Sequence, residues 1–343
     1  MFTTLGFALA DGQTVLGEAW LLITSWEYVL MATVSLGLFV AVAVSSMRLA
    51  RRKLSYESWH GIHLYAYLAI ALGFALLLVV GTDFIDDPIA RGYWIGLYIS
   101  TIGTLVAFRF GAPLVINARH RFRVAAVVDE GGDVVSVYLE GRKLLRFPIR
   151  AGQYVIIRFA TNGWWRAHPY SISAQPNGRW LRLTVKALGD DSARLRDLAI
   201  GTRAYIEGPY GNLTTVDQRA QRTLLVAGGI GVTPLRAILE ERAGTGPVTL
   251  LYRVRDRADL VFKRELDAIA ERTGARIHYL VGARRAGDHA GPLGPTTIAR
   301  LVPDVAASEV YLCGPNGMMA TAAASLHALG VPPERIHQER FFD

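Results

Sequence analysis

Leu224-Leu225-Val226-Ala227-Gly228-Gly229-Ile230-Gly231-Val232-Thr233-Pro234 decides the fold of the C-terminal part of this 343-residue chain. A short apolar run ends in a glycine-rich turn, and TPLRAILEER (233–242) follows at helical spacing. Pro234 suits a first helical turn. The segment therefore reads as strand, tight turn, helix. Such a turn is first of all a βα connection. Its glycines (Gly228, Gly229, Gly231) and Thr233 also let backbone approach a pyrophosphate at a helix N-terminus, where negative charge is favoured.

Toward the C-terminus the alternation continues. VTLLYRVR (248–255), RIHYLVG (276–282) and VYLCG (310–314) read as strands, FKRELDAIAERT (262–273) and MMATAAASLHAL (318–329) as helices. That is a parallel α/β domain. Cys313-Gly314-Pro315 ends the last long strand, on the sheet edge where ligands bind. A small thiol followed by Gly leaves room for a nicotinamide ring; a buried inert cysteine is the plainer reading. Arg253, Arg255 and Arg257 follow the second strand. A guanidinium there suits a 2′-phosphate, and Arg253 lies nearest the strand end, so NADPH is expected over NADH.

Toward the N-terminus the period changes. FRVAAVV (122–128), DVVSVYLEG (133–141), YVIIRFA (154–160), WLRLTVKA (180–187) and RAYIEG (203–208) alternate, with EGGD, PNG and GDD between them. They read as an antiparallel sandwich or barrel. Polar NLTTVDQRAQR (212–222) marks the join. Three motifs sit on this barrel: Trp165-Arg166-Ala167-His168-Pro169-Tyr170-Ser171, Lys186-Ala187-Leu188-Gly189-Asp190-Asp191-Ser192 and Glu207-Gly208-Pro209-Tyr210-Gly211. A flavin needs an aromatic face, a hydrogen bond near its redox nitrogen and an anion site. Tyr170 and Ser171 supply the first two, and backbone N–H groups at a helix opened by Gly189–Ser192 the third.

The first third is apolar. Tyr28–Met47, Trp59–Val80 and Tyr93–Phe110 are each near the 20 or so residues a bilayer span needs. Apolar residues make up 51% of the chain and charged ones 19%, which excludes disorder. Arg48, Arg51, Arg52, Lys53 and Arg109, Arg119, Arg121, Arg123 place the 48–58 loop and everything after 109 in the cytoplasm. Trp20, Trp26, Tyr93 and Trp94 then mark the outer interface and Trp59 the inner one. The net charge of +8 reads as these flanks, with no nucleic-acid partner. A single cysteine excludes disulfides and Cys-ligated zinc or iron–sulfur sites. His60 and His63 open the second span, where imidazole is a candidate haem ligand.

HPYS, KALGDDS, EGPYG, GGIGVTPL and CGP, in this order, resemble the ferredoxin-reductase superfamily over about 119–343. With the WHxxH start of a span, the chain resembles bacterial ferric reductase-like and NADPH oxidase-like flavocytochromes. The resemblance implies domains 1–115 (membrane, three spans), 116–218 (antiparallel Greek-key FAD barrel) and 219–343 (NAD(P) binding), in a multi-pass cell-membrane protein. It puts His168 and Pro169 at the flavin phosphate, Tyr170 on the ring and Ser171 near N5, with Lys186, Gly189, Ser192 and Gly208 around the cofactor. Gly228–Pro234 and Arg253 would hold NADP or NAD, Cys313, Gly314 and Pro315 would border the nicotinamide, and the Glu339–Phe342 stretch would cover the flavin. Electrons would pass to ferric iron, quinone, oxygen or a haem. The family clamps two haems with histidine pairs spaced about 13 residues apart, a rise of roughly 20 Å. Here the position 13 beyond His63 is Leu76. Haem b is left with at most His63, completed by a partner chain or a second copy. A regulatory flavoprotein module and a piece of a longer reductase are the alternative expectations, Met1 falling where the earlier histidine helix would have ended.

Overall fold

The computed structural model describes residues 9, 12, 14–26, 28–47, 56–80, 87–161, 166–282 and 291–339. The chain divides into two compact units, Met1–Val106 and Ala107–Asp343.

The first unit is helical: α1 (Val15–Ser25), α2 (Val29–Ser46), α3 (Tyr56–Val80) and α4 (Pro88–Val106). Thr14 accepts a hydrogen bond from the Gly17 N–H at 3.2 Å and caps α1. Asp87 accepts from Ile89 at 2.8 Å and caps α4. α2 and α3 meet through small residues: Ser35 donates to the Ala69 carbonyl at 2.8 Å, and a Cβ on Gly73 would lie 3.3 Å from the Ser35 hydroxyl. Three spans are expected. Among the described residues two helical segments are long and apolar enough to cross a membrane, Val29–Ser46 and Pro88–His120. The expected middle span is helical throughout, but its apolar described part, Gly61–Leu76, is shorter.

The second unit begins with a π-turn, Ala107–Gly111, and α5 (Ala112–His120). Six antiparallel strands follow: β1 (Arg123–Gly131), β2 (Val134–Glu140), β3 (Tyr154–Phe159), β4 (His168–Ser171), β5 (Leu181–Lys186) and β6 (Ala204–Tyr210). They form two sheets ordered β1-β2-β5 and β4-β3-β6. Bridges Arg123↔Arg203 and Ile172↔Leu183 join the sheets into one barrel of Greek-key order. The one-turn helix α6 (Asp190–Ala193) lies between β5 and β6. Asn117 of α5 lies against β6 like an added peptide unit, its Oδ1 accepting from the Ile206 N–H and its Nδ2 donating to the Ile206 carbonyl, both at 2.8 Å. Glu207 holds Arg109 at 2.8 Å and also pairs with Arg158. Burial alone would raise the Glu207 carboxyl, but the two guanidinium partners hold it below the usual range.

The remaining strands, β7 (Arg222–Gly228), β8 (Val248–Val254), β9 (Arg276–Val281), β10 (Ser308–Cys313) and β11 (Ile336–Glu339), are parallel and ordered β11-β10-β7-β8-β9. Helices α7 (Val232–Arg242), α8 (Lys263–Thr273), α9 (Pro295–Leu301) and α10 (Asn316–Ala328) connect or flank them. α7 is buried from Val232 to Leu239 because barrel and sheet both press on it. One apolar cluster, including Ile157, Leu183, Leu235, Ile238 and Tyr311, runs from the barrel to the sheet face. β11 is not among the strands the sequence predicts: Ile336–Glu339 pairs in parallel with Val310–Cys313, so Glu339, the first residue of the stretch expected over the flavin, ends a strand, while residues 340–342 lie outside the described residues. Four residues are too few to show a period, and the pairing partner is distant in sequence.

Candidate active site

β4, β5, the loop after β6 and β11 wall a cavity of about 880 Å³. Its lining includes His168, Pro169, Tyr170, Ser171, Lys186 and Ser192, six of the sequence-predicted residues. Tyr170 is pushed up to about 12 by burial and by nearby Asp191. Its ring lies 6.1 Å from that of His168, tilted by 23°. Asp191 gathers the basic groups: Arg166 at 2.6 Å, His168 Nε2 at 3.4 Å and Arg194 at 3.9 Å. The Arg166 hydrogen bond and these charges hold the Asp191 carboxyl below its usual range.

The expected pyrophosphate helix is only one turn long. The Ser192 hydroxyl accepts from the Leu188 and Gly189 N–H groups at 2.9 and 3.1 Å, so those two donors are already engaged. Gly189 and Gly208 do not line the cavity, whereas Gly211, Asn212 and Leu213 do. Trp165 and Phe342 lie outside the described residues. The cavity fits FAD in its donor set: His168 Nε2 and Glu339 Oε2 are buried on its wall with no hydrogen-bond partner.

A second cleft of about 530 Å³ opens at the C-terminal edge of the parallel sheet. Gly228, Gly229 and Pro315 line it with Arg253, Arg255 and Met318. At Gly231 glycine is required by contact, since a Cβ would lie 2.3 Å from the Cys313 backbone carbonyl oxygen; one on Gly228 would meet the flexible Met318 thioether, its sulfur 2.5 Å away. That close-packed cradle suits a dinucleotide. Thr233 lines the flavin cavity instead, and Pro234 is buried inside α7. Cys313 is fully buried and lines neither cavity; burial raises its thiol far above the ordinary range. The two cavities meet at Lys186 and Ile230, which line both.

Arg253 requires a correction. Its guanidinium donates to the Val254 and Gly282 carbonyls and, at 3.0 Å, to that of Leu280. It ties β8 to β9. The Arg255 carbonyl accepts the Gly282 N–H at 3.1 Å, but its guanidinium makes no hydrogen bond or ion pair to the described residues and Arg255 lines the cleft, so it is the available cation. The sequence signal was present, since both arginines were candidates, but strand pairing decided between them.

Sequence reasoning missed the Glu130–Val134 hairpin, which walls the second cleft, and His337, which walls the first. Glu339 is raised to about 7 by burial. Such a carboxyl favours folding when protonated, so its contribution falls as pH rises from the ordinary carboxyl range through about 7. Melting temperatures of the cofactor-free chain at pH 5 and 8 should therefore show a larger loss at pH 8 for wild type than for Glu339→Gln. Parallel losses would contradict the raised value.

His63 was the haem candidate. Its Nε2 lies 2.9 Å from the Ser46 hydroxyl and its Nδ1 2.9 Å from the Trp59 carbonyl. Both ring nitrogens are engaged within the helices, and among the described residues no cluster of three metal-ligating side chains occurs. The side chain of His60, the neighbouring alternative, lies outside the described residues.

Comparison with known proteins agrees with the two cavities. Residues 119–214 match the family described as FAD-binding domain, and residues 225–324 the oxidoreductase NAD-binding domain. The two matched segments, 119–214 and 225–324, together make an FAD- and NAD-binding module. The module is 27% identical over 240 residues to the glycine betaine monooxygenase reductase subunit of Chromohalobacter salexigens, covering 66% of this chain and 65% of that one. It is 31% identical over 244 residues to a flavohemoprotein of Chromobacterium violaceum, covering 64% and 60%. Among solved structures, it resembles the flavohem-like FAD/NAD-binding domain of a Vibrio cholerae nitric oxide dioxygenase. That match has a TM-score of 0.52, 26% identity, and covers 64% of this chain and 98% of that one.

Proposed function

We propose that this chain is an NAD(P)H-dependent flavin oxidoreductase, held in the cell membrane by its helical unit, with the FAD and NAD(P) domains (116–218 and 219–343) on the cytoplasmic side. The observation that carries the reading is the junction of the two cavities at Lys186 and Ile230, which brings a dinucleotide cleft to the wall of a flavin cavity. When bound, FAD supplies the conversion of a two-electron donor into single electrons. Tyr170 provides the stacking face, His168 and Arg166 the basic groups at the phosphate end, and Ser171 the hydroxyl near the ring.

Membrane anchoring is supported by Val29–Ser46 and Pro88–His120, whose apolar windows are 11% and 0% buried, unlike a soluble core helix. The basic residues after 109 orient the module inward. Ferric iron, quinone, oxygen and a haem-bearing or oxygenase partner are the acceptor classes a flavin serves in one-electron steps. A purely regulatory module would not need an open dinucleotide cleft, which favours catalysis.

The test is direct: the purified chain, reconstituted with FAD, should be yellow and should bleach with NADPH. Arg255 favours the 2′-phosphate, and one charge-assisted contact of about 1.5–3 kcal/mol corresponds to a preference of roughly ten- to a hundredfold for NADPH. Arg255→Ala should remove that preference while Arg253→Ala lowers stability. Equal kcat/KM with NADH in the wild type would refute the assignment.

A further inference from the structure

The sheet edge beside the flavin cavity carries a carboxylate–imidazole pair that cofactor binding does not use. On β10, Glu309, Tyr311 and Cys313 alternate onto one face; on β11, His337 registers with Tyr311 and Glu339 with Cys313. Glu309 is 2% exposed. Its Oε2 accepts the backbone N–H groups of Arg219 and Ala220 at 3.3 and 3.2 Å, and its Oε1 lies 2.7 Å from His337 Nε2. A carboxylate held this way keeps a proton on Nε2 and leaves Nδ1 to exchange. The imidazole stacks on Tyr311, with centroids 4.9 Å apart. Its side chain is 27% open to solvent, and it lines the same cavity as Glu339, whose buried Oε2 has no partner.

We propose that His337, oriented by Glu309, conducts protons from solvent to Glu339 at the wall of the flavin cavity. This deepens the flavin oxidoreductase reading and rests on it. A hydride brings two electrons and one proton, and the neutral fully reduced flavin carries one proton more, which solvent supplies. His337 Nδ1 takes that proton from solvent and hands it across the shared cavity to Glu339 Oε2 as Glu339 releases its own proton toward the flavin side, so both groups return to their starting state. The other titratable groups facing this path are Tyr311 and Cys313 on β10, Tyr154 near Glu339 with Tyr210 beside it, and Asp217, Glu241 and Arg242 around Tyr311. Glu309 is a positioning residue, since it reaches the cavity only through His337.

The experiment uses the full FAD-loaded chain in weak buffer with a pH-indicator dye, mixed rapidly with NADPH. Flavin bleaching and proton uptake should coincide in the wild type. In His337→Gln, uptake should lag bleaching by roughly 10- to 100-fold, and added imidazole should close the gap. In Glu309→Gln the imidazole loses its orienting carboxylate, so uptake should lag bleaching there too, and added imidazole should again close the gap. Uptake that keeps pace in both variants, or a lag that imidazole does not relieve, overturns the proposal. Should His337→Gln fail to hold FAD, Glu309→Gln decides: uptake that keeps pace with bleaching there overturns it. A wild-type chain that never bleaches sinks the oxidoreductase reading and this proposal together, whereas bleaching without a lag sinks only the relay.

Discussion

Glu265→Ala is expected to lower the melting temperature of the FAD/NAD module by about 6–12 °C, from a loss near 3 kcal/mol in a domain of this size. Glu265 of α8 takes Arg182 of β5 at 2.9 and 3.0 Å and Arg236 of α7 at 2.8 Å. Both arginines also donate to the Ser173 carbonyl, at 2.8 and 3.0 Å. Arg182 is 2% exposed and its guanidinium lies 4.5 Å from the Phe262 ring. Burial alone would raise the Glu265 carboxyl, but the Arg182 hydrogen bond and the two positive charges hold it below the usual range. Removing it leaves the buried Arg182 guanidinium without a carboxylate, while Arg236 keeps Glu240 at 2.8 Å. The loss is set at the lower end of the range for broken buried pairs because the Glu265 side chain is 37% exposed and water partly replaces it. Since this cluster joins barrel to α/β domain, FAD and dinucleotide binding should weaken together. Thermal melts followed by flavin release measure it, and a shift below about 2 °C would show that the cluster contributes little.

Gly231→Ala should abolish most dinucleotide affinity while FAD stays bound. Gly231 has φ −60°, so its backbone accepts alanine without strain. The obstacle is space: the new Cβ would lie 2.3 Å from the Cys313 carbonyl oxygen and 2.7 Å from the Gly314 nitrogen, both backbone atoms. The end of β10 must move away from the turn that opens α7. Overpacking of this kind costs about 1–3 kcal/mol, and a shift near 1 Å costs on the order of a hundredfold at a positioned site. Gly229→Ala is the contrast. Nothing lies within 4 Å of its added Cβ, and only its φ of +52° resists, at about 1–2 kcal/mol. NADPH titration of the flavin-loaded variants separates the two, and wild-type affinity in Gly231→Ala would show that the β10 edge is not part of the cleft.

Short-range patterns made much of this protein legible. Alternation in YVIIRFA and WLRLTVKA, and the strand–glycine–helix order around Gly228, are written in neighbouring residues, and the barrel and parallel sheet follow from them. His168, Tyr170, Ser171, Lys186 and Ser192 were readable because motif order survives without coordinates, and the cavity does gather them. What only the tertiary structure decided depends on partners distant in the chain. Arg253 and Arg255 look alike in sequence, yet β9 supplies carbonyls to the first and leaves the second facing the cleft. Residues 173, 182, 236 and 265 form one ionic cluster that no local period announces. The tail becomes a strand, and Glu339 a buried carboxyl, only because β10 offers an unpaired edge. Local sequence determines which elements form and which motifs they carry; packing between those elements determines which charges are buried, which are paired and which face a ligand.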